Sequence, residues 1–280
     1  MKGPPIVSGD NRRVKLAASL RRPNACIEHG AFLVEGPRFL DGAGDTLPLF
    51  VLVSTEATPE AGAAGERAEA SGAKVLKVEP GVFAKVSSTR TPQGVAAVFP
   101  LPAWTEEDVF RGGTVAALDG VSDPGNAGTV MRSAAAFGGG AVFLPGSAYP
   151  YGPKATRASA GANIRLPVIT AGALSDLVSR HPDYIFAGTD PRGTPLSGFR
   201  PDRPVCLVVG SEARGLSRDS ADAVACLLSI PMGGGVESLN AGVSASLILY
   251  HLREILGTRR LGRNKESTSE PKTFSLTRKA

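Results

Sequence analysis

Short apolar runs alternate with longer stretches of small and polar residues along the first hundred positions of the chain. This alternation predicts strands connected by helices, and therefore a small α/β domain. The predicted strands lie at residues 31–36, 49–54, 75–78 and 94–99, and the predicted helices at residues 12–20 and 57–71. Residues 1–10 show no such pattern and are predicted to be disordered.

The second half of the chain repeats the alternation with more strongly apolar runs, which predict buried strands. These strands are expected at residues 114–121, 141–144, 184–189, 205–210 and 226–230, followed by a helix at 239–255 with one apolar side. The first two strands should be parallel, because a helical segment connects them. The pattern predicts a second, larger α/β domain.

Changes in composition predict where these domains begin and end. The proline-rich residues 100–104 and the acidic residues 106–108 are typical of a linker, and beyond Gly257 the chain consists largely of Arg, Lys, Ser and Thr. Such a polar segment cannot bury enough apolar surface to fold alone. We therefore predict domains over residues 1–105 and 106–258, and a basic tail without fixed structure over residues 259–280.

A glycine-rich loop follows the last predicted strand. The strand ends at Pro231, three glycines follow, and the sequence Ser238-Leu239-Asn240 leads into the final helix. Ser238 is a favourable N-cap residue, and glycines allow the backbone to approach a ligand closely. In α/β proteins, sites for polar ligands commonly form where a strand leads through a glycine loop into the start of a helix.

Two further segments carry polar residues where a predicted strand ends. Asp123-Pro124-Gly125-Asn126 follows the strand at 114–121, and Arg132 comes six positions after Asn126. Gly210-Ser211-Glu212 ends the strand at 205–210. Taken singly, Asn126 is typical of a helix cap, Arg132 of a solvated helix residue, and Glu212 of a carboxylate near a helix N-terminus.

Taken together and in this order, the three segments resemble motifs 1, 2 and 3 of the SpoU-type (TrmH-like) RNA ribose 2'-O-methyltransferases, a branch of the SPOUT superfamily. Residues 154–162 resemble the family's substrate-facing segment, and Phe32-Leu33-Val34-Glu35-Gly36 resembles the start of its N-terminal substrate-recognition domain. The resemblance implies a C-terminal α/β knot, with a deep trefoil knot and a mostly parallel sheet. It also implies a smaller N-terminal α/β RNA-binding domain similar to a ribosomal protein.

The resemblance implies an enzyme that transfers a methyl group from S-adenosylmethionine to a ribose 2'-hydroxyl of RNA, the group that distinguishes RNA from DNA. The N-terminal domain favours 23S (large-subunit) ribosomal RNA as the substrate, and some relatives with two domains confer resistance to ribosome-targeting antibiotics. Two alternatives stay open: a tRNA ribose 2'-O-methyltransferase, and a non-catalytic RNA-binding or ribosome-assembly protein with the same fold. The family also implies a homodimer formed by the C-terminal domain.

The motif positions supply the candidate site residues. The expected catalytic residues are Arg132, Asn126, Glu212, Ser238 and Asn240. The expected cofactor-binding residues are Gly188, Thr189, Gly210, Ser211, Glu212, Ile230, Met232, Ser238 and Leu239. Arginine stays protonated, so we expect Arg132 to bind the adjacent phosphate and stabilise the developing alkoxide, not to act as a base. One departure from the family pattern is Gly242, in the first turn of the final helix.

The charge distribution and the cysteines are compatible with an RNA methyltransferase but add little evidence for one. The formal net charge is +5, and the basic residues cluster near both ends of the chain. Basic clusters can follow RNA phosphates, although a solvated basic surface explains them equally well. The cysteines and histidines lack metal-ligand spacing, so no metal site is predicted. The absence of an apolar run of membrane-spanning length and of a signal segment predicts a cytoplasmic protein without a membrane partner.

Overall fold

The computed structural model describes residues 3–41, 43–44, 46–235 and 238–263. The strands are β1 Ala31–Glu35, β2 Phe50–Ser54, β3 Val75–Val78, β4 Val95–Pro100, β5 Val115–Asp119, β6 Gly140–Phe143, β7 Val168–Thr170, β8 Ile185–Pro195, β9 Val205–Gly210 and β10 Cys226–Ser229. The helices are α1 Arg12–Ser19, α2 Pro23–His29, α3 Pro37–Asp41, α4 Pro59–Ala70, α5 Pro80–Val86, α6 Glu106–Val109, α7 Pro124–Ala136, α8 Pro153–Ala158, α9 Leu174–Arg180, α10 Arg218–Ala223 and α11 Ala241–Arg263.

The N-terminal sheet has the strand order β1-β4-β2-β3. Strand β4 pairs antiparallel with both β1 and β2, whereas β2 and β3 are parallel. Every residue of β1 and β2 is buried, because helices and the rest of the chain cover both faces of the sheet. The predicted α/β arrangement of this half of the chain is therefore present.

The C-terminal sheet has the order β10-β8-β9-β5-β6-β7, and each pair of neighbouring strands is parallel. Alternate residues of β5 enter different clusters: Ala116 and Leu118 pack on one side, and Val115 and Ala117 on the other. This alternation follows from the two-residue period of a strand, and it produces an α/β/α arrangement. The predicted α/β fold with a mostly parallel sheet is confirmed. Strand β7 was not predicted, and β8 extends beyond the predicted residues 184–189.

Helix α7 packs tightly between α8 and α11. A Cβ atom on Gly128 would lie 2.4 Å from Ala158 Cβ and 2.6 Å from the carbonyl oxygen of Ala155. On the α11 side, a Cβ atom on Gly242 would lie 3.0 Å from Cβ and Cγ2 of Thr129. The family departure at Gly242 therefore allows close packing within one chain.

The two sheets belong to one continuous body of packed side chains. The ring of Phe32 in β1 lies 5.0 Å from that of Tyr151, which precedes α8, and the apolar cluster around them includes residues of both halves. Beside this contact, the buried carboxylate of Glu35 accepts hydrogen bonds from Ser88 Oγ (3.0 Å) and Thr89 Oγ1 (3.0 Å). Arg157 of α8 donates to Ser88 Oγ and lies 3.9 Å from Glu35. A buried carboxylate needs such donors and a cation.

Two predictions of disorder near the ends of the chain are wrong, and the predicted linker contains a short helix. Residues 3–10 are not disordered, because Ile6 forms a parallel bridge with Val78 and donates its N–H to Lys77 O at 2.8 Å. The acidic linker residues form α6, which a capping box between Thr105 and Asp108 stabilises. Helix α11 continues to Arg263, so residues 259–263 of the predicted tail are helical. Residues 264–280 of that tail lie outside the described residues.

In the part of the chain that the structure describes, no helix combines the length and the apolar character that a membrane span requires.

We predict that Gly128→Ala lowers the free energy of unfolding by about 1–3 kcal/mol, because the added methyl group overlaps α8. The matched control is Gly62→Ala in the interior of α4, where a Cβ atom would meet nothing within 4 Å. That change should raise the stability by about 0.4–1 kcal/mol through the unfolded state. Denaturant titration of both variants measures the difference, and equal effects would contradict the packing described for α7.

Candidate active site

A cavity of about 510 Å³ lies at the carboxyl ends of β9 and β10, beside the irregular second half of β8. Open parallel sheets bind ligands at this edge. Its walls are formed by three segments that were separate in the sequence, and by the first turns of α11. The lining residues are Thr189, Asp190, Pro191, Val209, Gly210, Ser211, Glu212, Gly215, Leu228, Ser229, Ile230, Met232, Ser238, Leu239, Asn240, Ala241, Ser244 and Ile248.

The loop after β9 turns back sharply on itself. Ser211 and Gly215 exchange both backbone hydrogen bonds, at 2.9 and 2.8 Å. A Cβ atom on Gly210 would lie 2.3 Å from the carbonyl carbon of Gly215, so only glycine fits beneath the loop. The buried carboxylate of Asp119 accepts the N–H of Ser217 at 2.6 Å. These contacts present Glu212 at the cavity edge.

Side chains from all three motifs meet in one hydrogen-bonded network at the rim of the cavity. Asn240 Nδ2 donates to Asn126 Oδ1 at 2.8 Å, and Asn126 Nδ2 donates to a carboxylate oxygen of Glu212. Asn240 Oδ1 also accepts the N–H of Val243 at 3.2 Å. Each amide is therefore held in one orientation, and the three predicted polar residues form a single unit.

The start of α7 is fixed by Asp123 and not by Asn126. Asp123 Oδ1 accepts the N–H of Asn126 at 2.9 Å, which makes Asp123 the N-cap. The ammonium of Lys154 in α8 lies 3.0 Å from Asp123 Oδ2. The hydrogen bond from Lys154, together with that from the Asn126 N–H, holds the pKa of the Asp123 carboxyl below its usual value. The cap explanation for Asn126 is wrong, and its side chain is used in the network instead.

Arg132 lies on α7 outside the cavity wall. It comes six residues after Asn126, and a helix turns by about 100° per residue, so the two side chains leave the helix in different directions. Arg132 is exposed, and no hydrogen bond or ion pair joins it to another described residue. Its guanidinium is therefore available to an external anion.

Two predicted site residues have positions that the sequence did not indicate. Helix α11 begins at Ala241, so Asn240 and not Ser238 caps it, as its contact with Val243 shows. Ser238 lines the cavity instead. Gly188 is buried outside the cavity wall, and a Cβ atom there would lie 2.6 Å from Leu216 Cδ1. The predicted cofactor residues other than Gly188 do line the cavity.

Several lining residues were not predicted. Ser244 and Ile248 lie four and eight positions after Asn240 on α11, so helical periodicity could have indicated them. Asp190 and Pro191 directly follow the predicted end of β8. Ser229 donates its hydroxyl to Gly193 O at 2.8 Å, a contact that depends on the irregular pairing of β8 with β10. No local sequence signal reveals this last contact.

Comparison with known proteins agrees with this geometry. The sequence model of the SpoU rRNA Methylase family matches residues 113–250, and that of the MRM3-like substrate binding domain matches residues 11–97. An uncharacterized tRNA/rRNA methyltransferase of Mycobacterium avium (strain 104) is 34% identical over 215 residues, which cover 73% of this chain and 70% of the relative. The chain belongs to the SpoU rRNA methylase family.

Two further similarities extend over almost the whole chain. The 23S rRNA (guanosine(2553)-2'-O)-methyltransferase RlmP of Bacillus subtilis (strain 168) is 28% identical, with coverage of 89% of this chain and 98% of the relative. The crystal structure of the SpoU methyltransferase AviRb from Streptomyces viridochromogenes, in complex with AdoMet, superposes with a TM-score of 0.75 at 26% identity. It covers 87% of this chain and 97% of its own. The predictions of an RNA methyltransferase and of S-adenosylmethionine as its cofactor are confirmed.

The cavity fits this cofactor. Its volume lies within the range of about 300–1,000 Å³ that is usual for small-molecule sites. Leu228, Ile230 and Ile248 provide apolar wall for an adenine ring. The carboxylate of Glu212 is suited to the cationic groups of the molecule, whereas that of Asp190 is paired with Arg192 at 3.2 Å.

We predict that Gly210→Ala raises the Kd for S-adenosylmethionine by at least about tenfold, or about 1.4 kcal/mol, because the loop from Ser211 to Gly215 must move. Isothermal titration calorimetry measures this effect. Gly172→Ala is the matched control, since a Cβ atom there meets nothing within 4 Å and Gly172 does not line the cavity. An unchanged Kd in Gly210→Ala would show that the loop does not determine cofactor binding.

Proposed function

We propose that this enzyme methylates a ribose 2'-hydroxyl in 23S ribosomal RNA. The observation that carries the proposal is the network of Asn126, Glu212 and Asn240 at the rim of the cavity. It lies where a ribose would meet a methyl donor held by the cavity walls. The similarity to the Bacillus subtilis enzyme over 89% of the chain supports ribosomal RNA as the substrate. A ribosomal substrate implies activity in the cytoplasm.

The roles of the chain's own residues follow from their contacts. S-adenosylmethionine supplies an electrophilic methyl group on a sulfonium. The loops after β9 and β10 hold and orient this donor, and the apolar wall around Ile230 excludes water. Asn240 retains one amide N–H beyond its bond to Asn126, and this N–H is available to a ribose oxygen. Ser238, in the same wall, offers a second polar contact.

Arg132 acts electrostatically. Its exposed guanidinium binds the phosphate beside the target ribose and stabilises the negative charge that develops on the 2'-oxygen as the oxygen takes the methyl group from the sulfonium and releases its proton to solvent water. A guanidinium that is already protonated cannot accept this proton. Glu212 restrains Asn126 through their hydrogen bond and so keeps the network in position.

We also propose that residues 1–105 recognise the RNA and residues 106–258 carry the reaction. The match of residues 11–97 to a substrate-binding family supports this division.

The family's trefoil knot is part of the proposal. Helix α11 follows β10 and contacts both β9 and α7, so the chain returns across the sheet after forming the cavity loops.

A homodimer through α11 is supported by an exposed apolar stripe. Val243, Leu247 and Tyr250 are 46%, 46% and 53% exposed, and they lie at helical spacing on one side of α11. Phe137 of α7 packs against Tyr250 with ring centroids 5.8 Å apart, which widens the apolar surface. Contiguous apolar surface of this kind is typical of protein interfaces.

We predict that Arg132→Ala lowers the methyl-transfer rate by about 10²–10³-fold or more, because the positive charge that stabilises the developing negative charge on the ribose oxygen is lost. The Kd for S-adenosylmethionine should stay within about twofold, because Arg132 does not line the cavity. Single-turnover transfer of labelled methyl and calorimetry measure the two quantities. Arg132→Lys should restore only part of the rate, since it lacks the planar fork. Loss of cofactor binding would show that the role of Arg132 is structural.

The substrate is tested by offering the enzyme separated 23S rRNA, 16S rRNA and tRNA. Label in 23S rRNA alone is the expected result. Label in tRNA alone would replace the ribosomal substrate by the transfer RNA alternative. Absence of label from naked RNA and from intact ribosomal particles, with the cofactor still bound, would favour the non-catalytic assembly protein. Antibiotic resistance is tested by the drug sensitivity of cells that express the active chain and its Arg132→Ala variant.

We predict that Leu247→Glu converts the protein to a monomer, because it places a charge in the apolar stripe of α11. Light scattering at micromolar concentration measures the mass. Ile27→Glu, at an exposed apolar residue of α2, is the matched control and should leave the mass unchanged. A monomeric parent protein would contradict the proposed dimer.

A further inference from the structure

We propose that a basic groove between α1 and α5 binds the phosphate backbone of the RNA. This inference rests on the proposed function, because it names where the N-terminal half holds the RNA substrate. The groove has a volume of about 580 Å³ and is lined by Gly9, Val14, Lys15, Ala18, Ser19, Arg21, Arg22 and Lys85. It is separate from the cavity at the C-terminal sheet, with which it shares no lining residue.

The groove brings together cations that are far apart in the sequence. Lys15 lies on α1, Arg21 and Arg22 follow the end of that helix, and Lys85 lies on α5. The side chain of Lys85 crosses the backbone at Gly9, where a Cβ atom would lie 2.5 Å from Lys85 Nζ. Gly9 therefore leaves the ammonium room to lie at the groove.

The positive charge of the groove is only partly neutralised. Asp10 Oδ1 lies 2.8 Å from Lys15 Nζ. The pKa of the Asp10 carboxyl is lowered, chiefly by its hydrogen bond with Lys15 and to a smaller extent by Lys85, so one carboxylate faces both lysines. Arg21, Arg22 and Lys85 are exposed, and within the described ranges none of them forms an ion pair. The groove thus holds four cations, of which only the two lysines interact with the Asp10 carboxylate.

The chemistry of the groove suits the phosphates of an RNA backbone. An RNA backbone presents negative charges at regular intervals, and arginine and lysine side chains neutralise them with release of counterions. The lining contains no aromatic side chain on which a base could stack, and its other residues are small. The groove should therefore hold RNA by its backbone and leave the choice of nucleotide to other contacts.

The test compares two double variants that remove equal charge from the same half of the chain. Arg22→Gln with Lys85→Gln removes two groove cations. Lys74→Gln with Lys77→Gln removes two exposed cations next to and within β3, which do not line the groove. Binding of a 23S rRNA transcript is measured by filter retention as a function of salt concentration. S-adenosylmethionine binding and thermal unfolding show that each variant is folded.

The groove variant should bind RNA ~10-fold or more weakly near physiological salt, and the slope of log K against log salt should fall by about 1.5. The β3 variant should change both quantities much less. Equal losses in the two variants would overturn the proposal, because they would show an effect of net charge alone. Arg21→Gln with Arg22→Gln is a second groove variant, which keeps the test valid if substitution of Lys85 disturbs α5.

Methyl transfer is measured on the same samples, which separates failure of this proposal from failure of the proposed function. RNA binding that depends on the groove, without methyl transfer by the parent protein, would reject the proposed reaction and keep the groove. Methyl transfer whose KM for RNA does not change in the groove variant would reject the groove and keep the reaction. Failure of the parent protein to bind RNA would reject both.

Discussion

The close packing of α7 between α8 and α11 is the contact on which the active site depends. Gly128 lets α8 approach one side of α7, and Gly242 lets α11 approach the other. Helix α7 carries Asn126 and Arg132, while Asn240 immediately precedes α11. If the helices stood farther apart, the 2.8 Å hydrogen bond between Asn240 and Asn126 could not form. Because Gly128 and Gly242 have no side chains, the three helices pack closely enough for Asn126 and Asn240 to form their hydrogen bond.

The sequence predicted the parts of the molecule that depend on local patterns. The bounds of β3 and β9 agree with the apolar runs, because short apolar runs with polar neighbours have distinct edges. The three motifs identified Asn126, Glu212 and Asn240, which the structure brings into contact. Their mutual hydrogen bonds were not predictable, because they depend on how distant segments return to the same sheet edge.

The errors have a common physical origin in tertiary contacts. Residues 3–10 have no apolar periodicity, and only pairing of Ile6 with Val78 orders the segment. Gly188 ends an apolar run, but it packs against Leu216 and does not line the cavity, so its predicted contact with the cofactor stays a prediction. Ser238 has the chemistry of an N-cap, yet the helix starts three residues later, where Asn240 competes successfully for the same role.

The buried carboxylate of Glu35 limits how freely the two halves of the chain can be exchanged between relatives. Its ligands are hydroxyls of its own half of the chain, with Arg157 supplied by the other half. A catalytic half joined to a foreign recognition domain would keep the arginine and lose its anion. The reverse chimera would bury an uncompensated negative charge at the junction. Whole domains can therefore be exchanged only between relatives that have a matching carboxylate and arginine at the positions of Glu35 and Arg157. A well-chosen linker peptide does not remove this restriction.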